Sequence, residues 1–314
     1  MGEKGEIIKW FSEIGNKDVK IAGGKGASLG EMYNKKFPVP PGFLVTAHAY
    51  KYFLESSGID KKIYSLLEDL DINDTEKLNS ISKEIRELIE SSTLPKEMQE
   101  EILEAYEILD VDKKEMENAG GGALEILRTG HEPPFVAIRS SATAEDLVDA
   151  SFAGQQESFL NVKGGKDVLK KVRQCFSSLF TPRAIYYRVK KGFKHNETYL
   201  AVVVQKMIDS DKSGVIFSKN PVKRDESILI EAVFGLGEGI VSGKIKPDVY
   251  VVDKEVNNLK IIRENVTDKK IAVIRDSSGK TGIAKLSEEK SNQRVLINYE
   301  IKRLAQYASM LEKH

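Results

Sequence analysis

The hydrophobic rhythm of the chain changes twice. Up to about residue 45, short apolar stretches are broken by Gly and Pro. Ala22–Met32 (AGGKGASLGEM) reads as a glycine-rich loop running into a helix. Phe37–Tyr50 (FPVPPGFLVTAHAY) reads as a rigid extended link, because its prolines fix φ and exclude helix before Gly42. From Thr46 to about Leu127 apolar positions recur at helical spacing among charges. SISKEIRELIESS, for example, puts Ile81, Ile85, Leu88 and Ile89 on one stripe. Gly121-Gly122 and Pro133-Pro134 punctuate the end of this stretch, which is expected to be a helical insertion over about 46–130. Phe135–Ile138 is then wholly apolar, as a buried strand would be. Arg139 follows at once, with Ser140, Ser141 and Thr143 behind it. VLKKVRQCFSSLF predicts an amphipathic helix, and TPRAIYYR another, with Thr181 as N-cap and Pro182 in the first helical position.

From Leu200 the period shortens. LAVVVQKM, SGVIFSKN, SILIEAVFG, DVYVVDK, LKIIREN and KKIAVIRD are strand candidates. A closing helix carries Ile297, Ile301, Leu304, Ala308 and Leu311 on one face. No internal repeat or low-complexity tract is evident. The pattern predicts an α+β protein of two lobes, residues 1–199 and 200–314, with a cleft between them suited to a ligand.

Composition narrows the function classes. Lys+Arg and Asp+Glu balance at 48 each, so nothing points to a nucleic-acid or membrane surface. No apolar run reaches the ~18 residues of a membrane span. The N-terminus lacks the apolar core of a signal peptide, and Gly2 lacks the Ser or Thr at position six that myristoylation needs. Cys175 is the single cysteine, which rules out a disulfide framework or a Cys-based metal site and fits a reduced, cytoplasmic protein. Cys175 itself is expected to be a small core residue.

Four stretches could carry chemistry. Lys25 in GGKGASLG is a point charge in a loop whose glycines let amides approach an anion, though a flexible turn before a helix explains the same letters. Arg139 at a strand end offers a planar fork for phosphate oxygens. Ser140, Ser141 and Thr143 add donors, and Glu145 and Asp146 could orient the arginine or ligate Mg²⁺. The alternative is a surface loop whose hydroxyls cap a helix. Gln205, Met207 and Ile208 close an apolar strand and would suit an adenine ring; an ordinary hairpin turning at Ser210–Gly214 is the alternative. Glu231 precedes Gly235, Gly237, Gly239 and Gly243. No compact βαβ unit surrounds them, which argues against a dinucleotide fold but leaves a loop closing over polyphosphate. SSGKTG (Ser277–Gly282) imitates the end of a phosphate-binding loop. The earlier glycine is missing and no helix follows, so a hairpin turn is expected. His48, His131, His195 and His314 lack metal spacing.

Together GGKGASLGEM, VPPGFLVT, RSSATAEDLVDASFAGQQESFLNV, VVVQKM, SGVIFSKNP and IEAVFGLGEGIVSGKIKPDVYVVDK, in this order over residues 20–254, resemble the nucleotide-binding domain of the phosphoenolpyruvate synthase and pyruvate phosphate dikinase family. DASFAGQQESFLN is similar to the synthase branch, and rifampicin phosphotransferases share its ASFAGQQ form. The resemblance implies an ATP-grasp fold closing over Mg·ATP. Its β-phosphoryl group would pass to a histidine on a separate domain, and from there to pyruvate in a third. It implies that Lys25 and Arg139 grip the phosphates and that Gly154 and Ser158 lie along the nucleotide. Gln205 and the backbone around Met207 would read the adenine, and Ser140, Thr143 and Glu231 would complete the cofactor site. The family's next motifs, D-I-E-W and L-Q-[ST]-R, bring metal and phosphate ligands, so the metal ligands are expected beyond residue 314. The acceptor-histidine motif and pyruvate barrel are likewise expected elsewhere. His48 in TAHAY imitates the acceptor but falls where a helix should start. The chain is thus expected to be a truncated piece or a split-gene product that partners those domains and does not turn over alone. A non-catalytic nucleotide- or partner-binding module is the alternative.

Overall fold

The computed structural model describes residues 5–109, 132–143, 157–254, 259–276 and 279–314 in full, and 146–147 and 150–151 through their backbone. Helices and antiparallel sheets make it a mixed α+β protein of two units, Met1–Met207 and Ile208–His314. The expected lobe boundary lay at residues 199 and 200. The strand just after it stays in the first unit because both of its edges are paired there.

The first unit runs β1 (Ile8–Trp10), α1 (Val19–Asn34), β2 (Gly42–Val45), α2 (Ala47–Ser56), α3 (Asp60–Glu68), α4 (Thr75–Ser91) and α5 (Lys96–Glu107). After these come β3 (Val136–Ala142), the short pair β4 (Asp146–Leu147) and β5 (Ala150–Ser151), β6 (Ser158–Val162), α6 (Gly165–Ser178), α7 (Pro182–Lys190) and β7 (Leu200–Lys206). Its main sheet has the order β1-β2-β7-β3-β6, antiparallel throughout. Alternation sorts the side chains by face. Val136, Ile138 and Ala142 of β3 and Leu200, Val202 and Val204 of β7 enter the large core with α2 to α6. Leu44 and Val203 face the other way and join Phe11, Ile14, Ala22 and Ala27 beneath α1. Each apolar side chain fully buried in this way contributes roughly 1.5–3 kcal/mol.

The helical stretch forms as its spacing predicts. Thr46, Asp74 and Thr181 each accept a hydrogen bond from the backbone N–H three residues on, which fixes the starts of α2, α4 and α7. His48 is an exposed residue in the first turn of α2. Cys175 is a fully buried core residue whose thiol is pushed up by burial. Residues 110–131, with Gly121, Gly122 and His131, lie outside the described residues.

Arg188 on α7 is the largest fully buried side chain among the described residues. Its Nε donates to His195 Nδ1 at 3.1 Å, Nη1 donates to the Leu179 carbonyl, and the guanidinium lies over the Phe180 ring. Burial lowers its pKa to about 10. Burial and the neighbouring arginine charge lower that of His195 to about 4.

The second unit runs β8 (Lys212–Phe217), β9 (Ile228–Phe234), α8 (Glu238–Val241), β10 (Asp248–Asp253), β11 (Lys260–Asn265), β12 (Ile271–Arg275), β13 (Thr281–Lys285), α9 (Glu288–Asn292) and α10 (Asn298–Lys313). All six strand candidates are strands. Four form a sheet of order β11-β10-β9-β8, and β12 pairs with β13. The imitation phosphate loop is the turn of that hairpin, as expected: Arg275 faces Thr281, Lys280 N donates to Asp276 Oδ1, and Gly279 has φ 85°. Ser277 and Ser278 lie outside the described residues. α10 buries Ile301, Ala305 and Ala308 against Ile228, Ile230, Ala232 and Phe234. Ile297 and Leu311, expected on that stripe, are 58% and 39% exposed. Ile297 caps the helix, and the buried line steps from Ile301 to Ala305 to Ala308 instead.

Beneath this core sits a closed ion pair. Lys269 Nζ donates to Asp248 Oδ1 at 2.6 Å and to the Thr267 carbonyl at 2.7 Å. Asp248 also accepts from Thr267 N, Val295 N and Tyr250 Oη, so all its acceptor positions are used within the unit.

Candidate functional site

Arg139 was expected at a strand end. It stands inside β3, because Ser140, Ser141 and Ala142 continue the ladder with Val202, Ala201 and Leu200 of β7. Residues opposite one another in an antiparallel sheet share a face. Arg139 is opposite Val203 on one side and Ser158 on the other, and Val203 is opposite Leu44. A row Ser158–Arg139–Val203–Leu44 therefore crosses the sheet on the face that α1 covers. Leu44 and Val203 are buried under α1, Arg139 is half-buried and Ser158 is exposed. Burial lowers the pKa of Arg139, and among the described residues no carboxylate or hydrogen-bond acceptor takes up its guanidinium. A desolvated cation without a counter-charge is costly to keep, and an anionic ligand offsets that cost.

Lys25 reaches this face through α1. The helix breaks at Gly23 (φ 66°, ψ 171°) and restarts at once. A Cβ at Gly23 would lie 2.3 Å from both the Ser141 carbonyl and its hydroxyl. Only glycine can bring the two backbones this close in that conformation. The Ser141 hydroxyl donates to Ala22 O at 2.8 Å and accepts from Gly26 N at 3.1 Å. Lys25 is thereby one residue from a backbone group fastened to β3, two positions along the strand from Arg139. A helix start that faces a cationic strand is the kind of backbone that receives phosphate.

The remaining expected residues divide. Ser140 points to the opposite face from Arg139, and its hydroxyl donates to the Glu157 carbonyl at 3.2 Å. Thr143 Oγ1 donates to the Tyr199 carbonyl at 3.1 Å and joins the end of β3 to the start of β7. Neither is the N-cap of a helix among the described residues. Gln205 shares the face of Arg139, opposite Ala137 and Gly42. It is 7% exposed, and its Nε2 donates to Pro40 O at 3.2 Å. Met207 N is committed to Phe135 O at 2.8 Å. Gly154, Glu145 and the side chain of Asp146 lie outside the described residues.

Glu231 belongs to the second unit, half-buried on the face of β9 away from α10, with Val215 and Val249 beside it. It borders a cavity of about 250 Å³ with Lys212, Ser213, Gly214, Leu296 and Leu304. The Ser213 hydroxyl is buried there without a partner among the described residues. The glycines that follow Glu231 include two used for packing. Gly235 (φ 80°) passes so close to β12 that a Cβ would meet Val273 O at 2.2 Å, and Gly239 packs on Ile245.

Two contacts around the candidate site escaped the sequence. One is the Ser141 bridge. The other is Arg86 of α4, whose Nη2 meets Glu157 Oε1 at 2.6 Å and steadies the start of β6, where Ser158 adjoins Arg139. The period-two alternation after Arg139 is a signal for the first, since it puts Ser141 on the arginine's face. Nothing local marks the second. Among the described residues no group of three or more His, Cys, Asp or Glu side chains could hold a metal ion. No helix among them is long and apolar enough to cross a membrane.

Comparison with known proteins gives a consistent result. Residues 19–314 match the family described as the pyruvate phosphate dikinase AMP/ATP-binding domain. A probable phosphoenolpyruvate synthase of Methanocaldococcus jannaschii is 46% identical over all of this chain and 25% of its own length. One from Archaeoglobus fulgidus is 46% identical over 98% of this chain and 38% of its own length. The phosphoenolpyruvate synthase of Helicobacter pylori is 41% identical over 98% of this chain and 37% of its own length. The chain thus spans between a quarter and two fifths of these relatives.

Proposed function

Since the chain belongs to the pyruvate phosphate dikinase AMP/ATP-binding domain family, we propose that it is the ATP-grasp part of a phosphoenolpyruvate synthase. It would hold Mg·ATP so that the β-phosphoryl group passes to a histidine on another domain and then to pyruvate, with release of AMP and phosphate. The observation that carries this is Arg139, a half-buried guanidinium with no counter-charge among the described residues, beside the Gly23 bend that brings Lys25 to the same strand. The donor set suits a polyphosphate: a planar fork, a point charge, an exposed hydroxyl on Ser158 and a helix start. Phosphoryl transfer asks the protein mainly for positioning and charge neutralisation, which this chain's residues supply. Arg139 and Lys25 would neutralise phosphate oxygens, Ser158 would donate along the chain of phosphates, and Gln205 would bound the base. Glu231 and Gly154 would complete the nucleotide site. Bound ATP would supply the phosphoryl group. Magnesium ligands would come from the acidic residues after Thr143 or from other polypeptide, as would the acceptor histidine and the pyruvate site. The cytoplasm is the compartment that fits such chemistry.

Calorimetric titration of the chain with ATP, with and without Mg²⁺, tests the proposal. Saturable binding that Mg²⁺ strengthens is expected. No heat at millimolar ATP in either buffer would contradict it.

A further inference from the structure

We infer that Ser141 is a positioning residue that sets Lys25 relative to Arg139, an inference that rests on the nucleotide reading above. Gly26 N and Ala22 O are the donor and acceptor of one i to i−4 helix bond. In α1 the Ser141 hydroxyl stands between them, accepting from Gly26 N at 3.1 Å and donating to Ala22 O at 2.8 Å. A side chain inserted into the helix ladder is a recognised cause of a kink. The kink is at Gly23, whose φ of 66° and ψ of 171° leave the helical region. The residues enclosed by the bridge are Gly23, Gly24 and Lys25. A single hydroxyl thus opens the helix and holds the lysine's backbone against β3.

Three further observations fix the arrangement. Ser141 is 0% exposed, so water does not compete for its hydroxyl. A Cβ on Gly23 would lie 2.3 Å from Ser141 O and Oγ, so the bend and the strand fit only as a glycine–serine pair. Ser141 lies two residues from Arg139 on one strand, which puts both side chains on one face. Ser141 needs no contact with ligand to act. It acts through Lys25, and its loss frees the lysine's bend while leaving Arg139 in its row.

The test is Ser141→Ala in the whole chain, read in two ways. Without nucleotide, hydrogen exchange in the peptide Ala22–Met32 speeds up while β7 is unchanged. With nucleotide, ATP binding weakens about tenfold, equivalent to ~1.4 kcal/mol. Displacement by adenosine, which lacks phosphate, changes less than about twofold, and Ser141→Ala adds nothing to Lys25→Ala in a double-mutant cycle. Unchanged exchange in Ala22–Met32 would overturn the inference, as would equal losses for ATP and adenosine or additive effects with Lys25→Ala. A wild-type chain that binds no ATP would sink the nucleotide reading, while the exchange measurement still decides whether the hydroxyl holds the bend. Should Ser141→Ala fail to fold, Ser141→Cys keeps the volume with a weaker donor and carries the same test.

Discussion

Lys269 in the second unit and Arg139 in the first are basic side chains set into β-rich cores, with opposite surroundings. Lys269 is 1% exposed, and its ammonium meets Asp248 at 2.6 Å; the carboxylate is in turn saturated by two backbone N–H groups and a tyrosine hydroxyl. Arg139 is half-buried, its pKa is lowered by burial, and no carboxylate answers it among the described residues. The first charge is spent inside the fold, where it joins β10 to the segments before β12 and α10. The second has no such partner among the described residues, and the proposed phosphate site rests on that difference. Arg188 shows that missing a carboxylate is not by itself a sign of a ligand site. It too lacks one among the described residues, but it is fully buried, bonded to a backbone carbonyl and to His195, and it packs on an aromatic ring. What separates Arg139 is partial exposure, a fork left unengaged among the described residues and a second cation, Lys25, whose backbone is brought to its strand.

The largest effect should come from Lys269. Lys269→Met leaves the Asp248 carboxylate buried without its cation, which should cost about 3–5 kcal/mol in denaturant unfolding of the second unit. A loss below ~1 kcal/mol would mean that the pair is not the closed structural device described above. Arg188 offers a smaller effect with a pH signature. The folded pKa of His195, about 4, lies below its ordinary 6.5, so the fold favours the neutral ring. The stability this gives is complete above about pH 6.5 and is lost as pH falls toward 4. After allowance for the solvent-facing part of the ring it should be on the order of 1 kcal/mol. His195→Gln, which keeps an acceptor for Arg188, should flatten that difference in melts between pH 7 and 4.5; a parallel pH slope in both proteins would show that His195 is not the group responsible. The smallest effect on stability belongs to Arg139. Replacing a poorly compensated charge with an apolar side chain is neutral or slightly stabilising, so Arg139→Leu should unfold within ~0.5 kcal/mol of wild type or above it. A loss of several kcal/mol would put Arg139 beside Lys269 as architecture.

Much of this was legible in the sequence where it depended on local period. The six strand candidates from Leu200 on, the cap at Thr181, the hairpin at Gly279 and the core place of Cys175 all follow from spacing and turn chemistry. Arg139 was expected at the end of its strand and lies inside it. Ser140, Ser141 and Thr143 look like capping residues, yet pairing with β7 draws the first two into the sheet and the Thr143 hydroxyl to Tyr199. Strand preference depends on the partner strand, which a local window does not contain. The contacts that build the site are long-range for the same reason. Ser141 to Gly26, Arg86 to Glu157 and Gln205 to Pro40 join residues that no periodicity relates. The Asp248–Lys269 pair is hidden differently. Each residue reads as an ordinary surface charge at a strand margin, and only the fold brings Thr267, Tyr250 and Val295 around the pair and takes both out of water.

The most direct test of the difference between the two cations is an ATP titration of Arg139→Ala beside wild type, with a thermal melt of each to show that both are folded. A guanidinium that grips phosphate through charge-assisted bonds is worth roughly 1.5–3 kcal/mol, so Kd should rise about 10- to 150-fold with the melt unchanged. ATP binding within about twofold of wild type by a folded Arg139→Ala protein would contradict the assignment of Arg139 to the nucleotide phosphates.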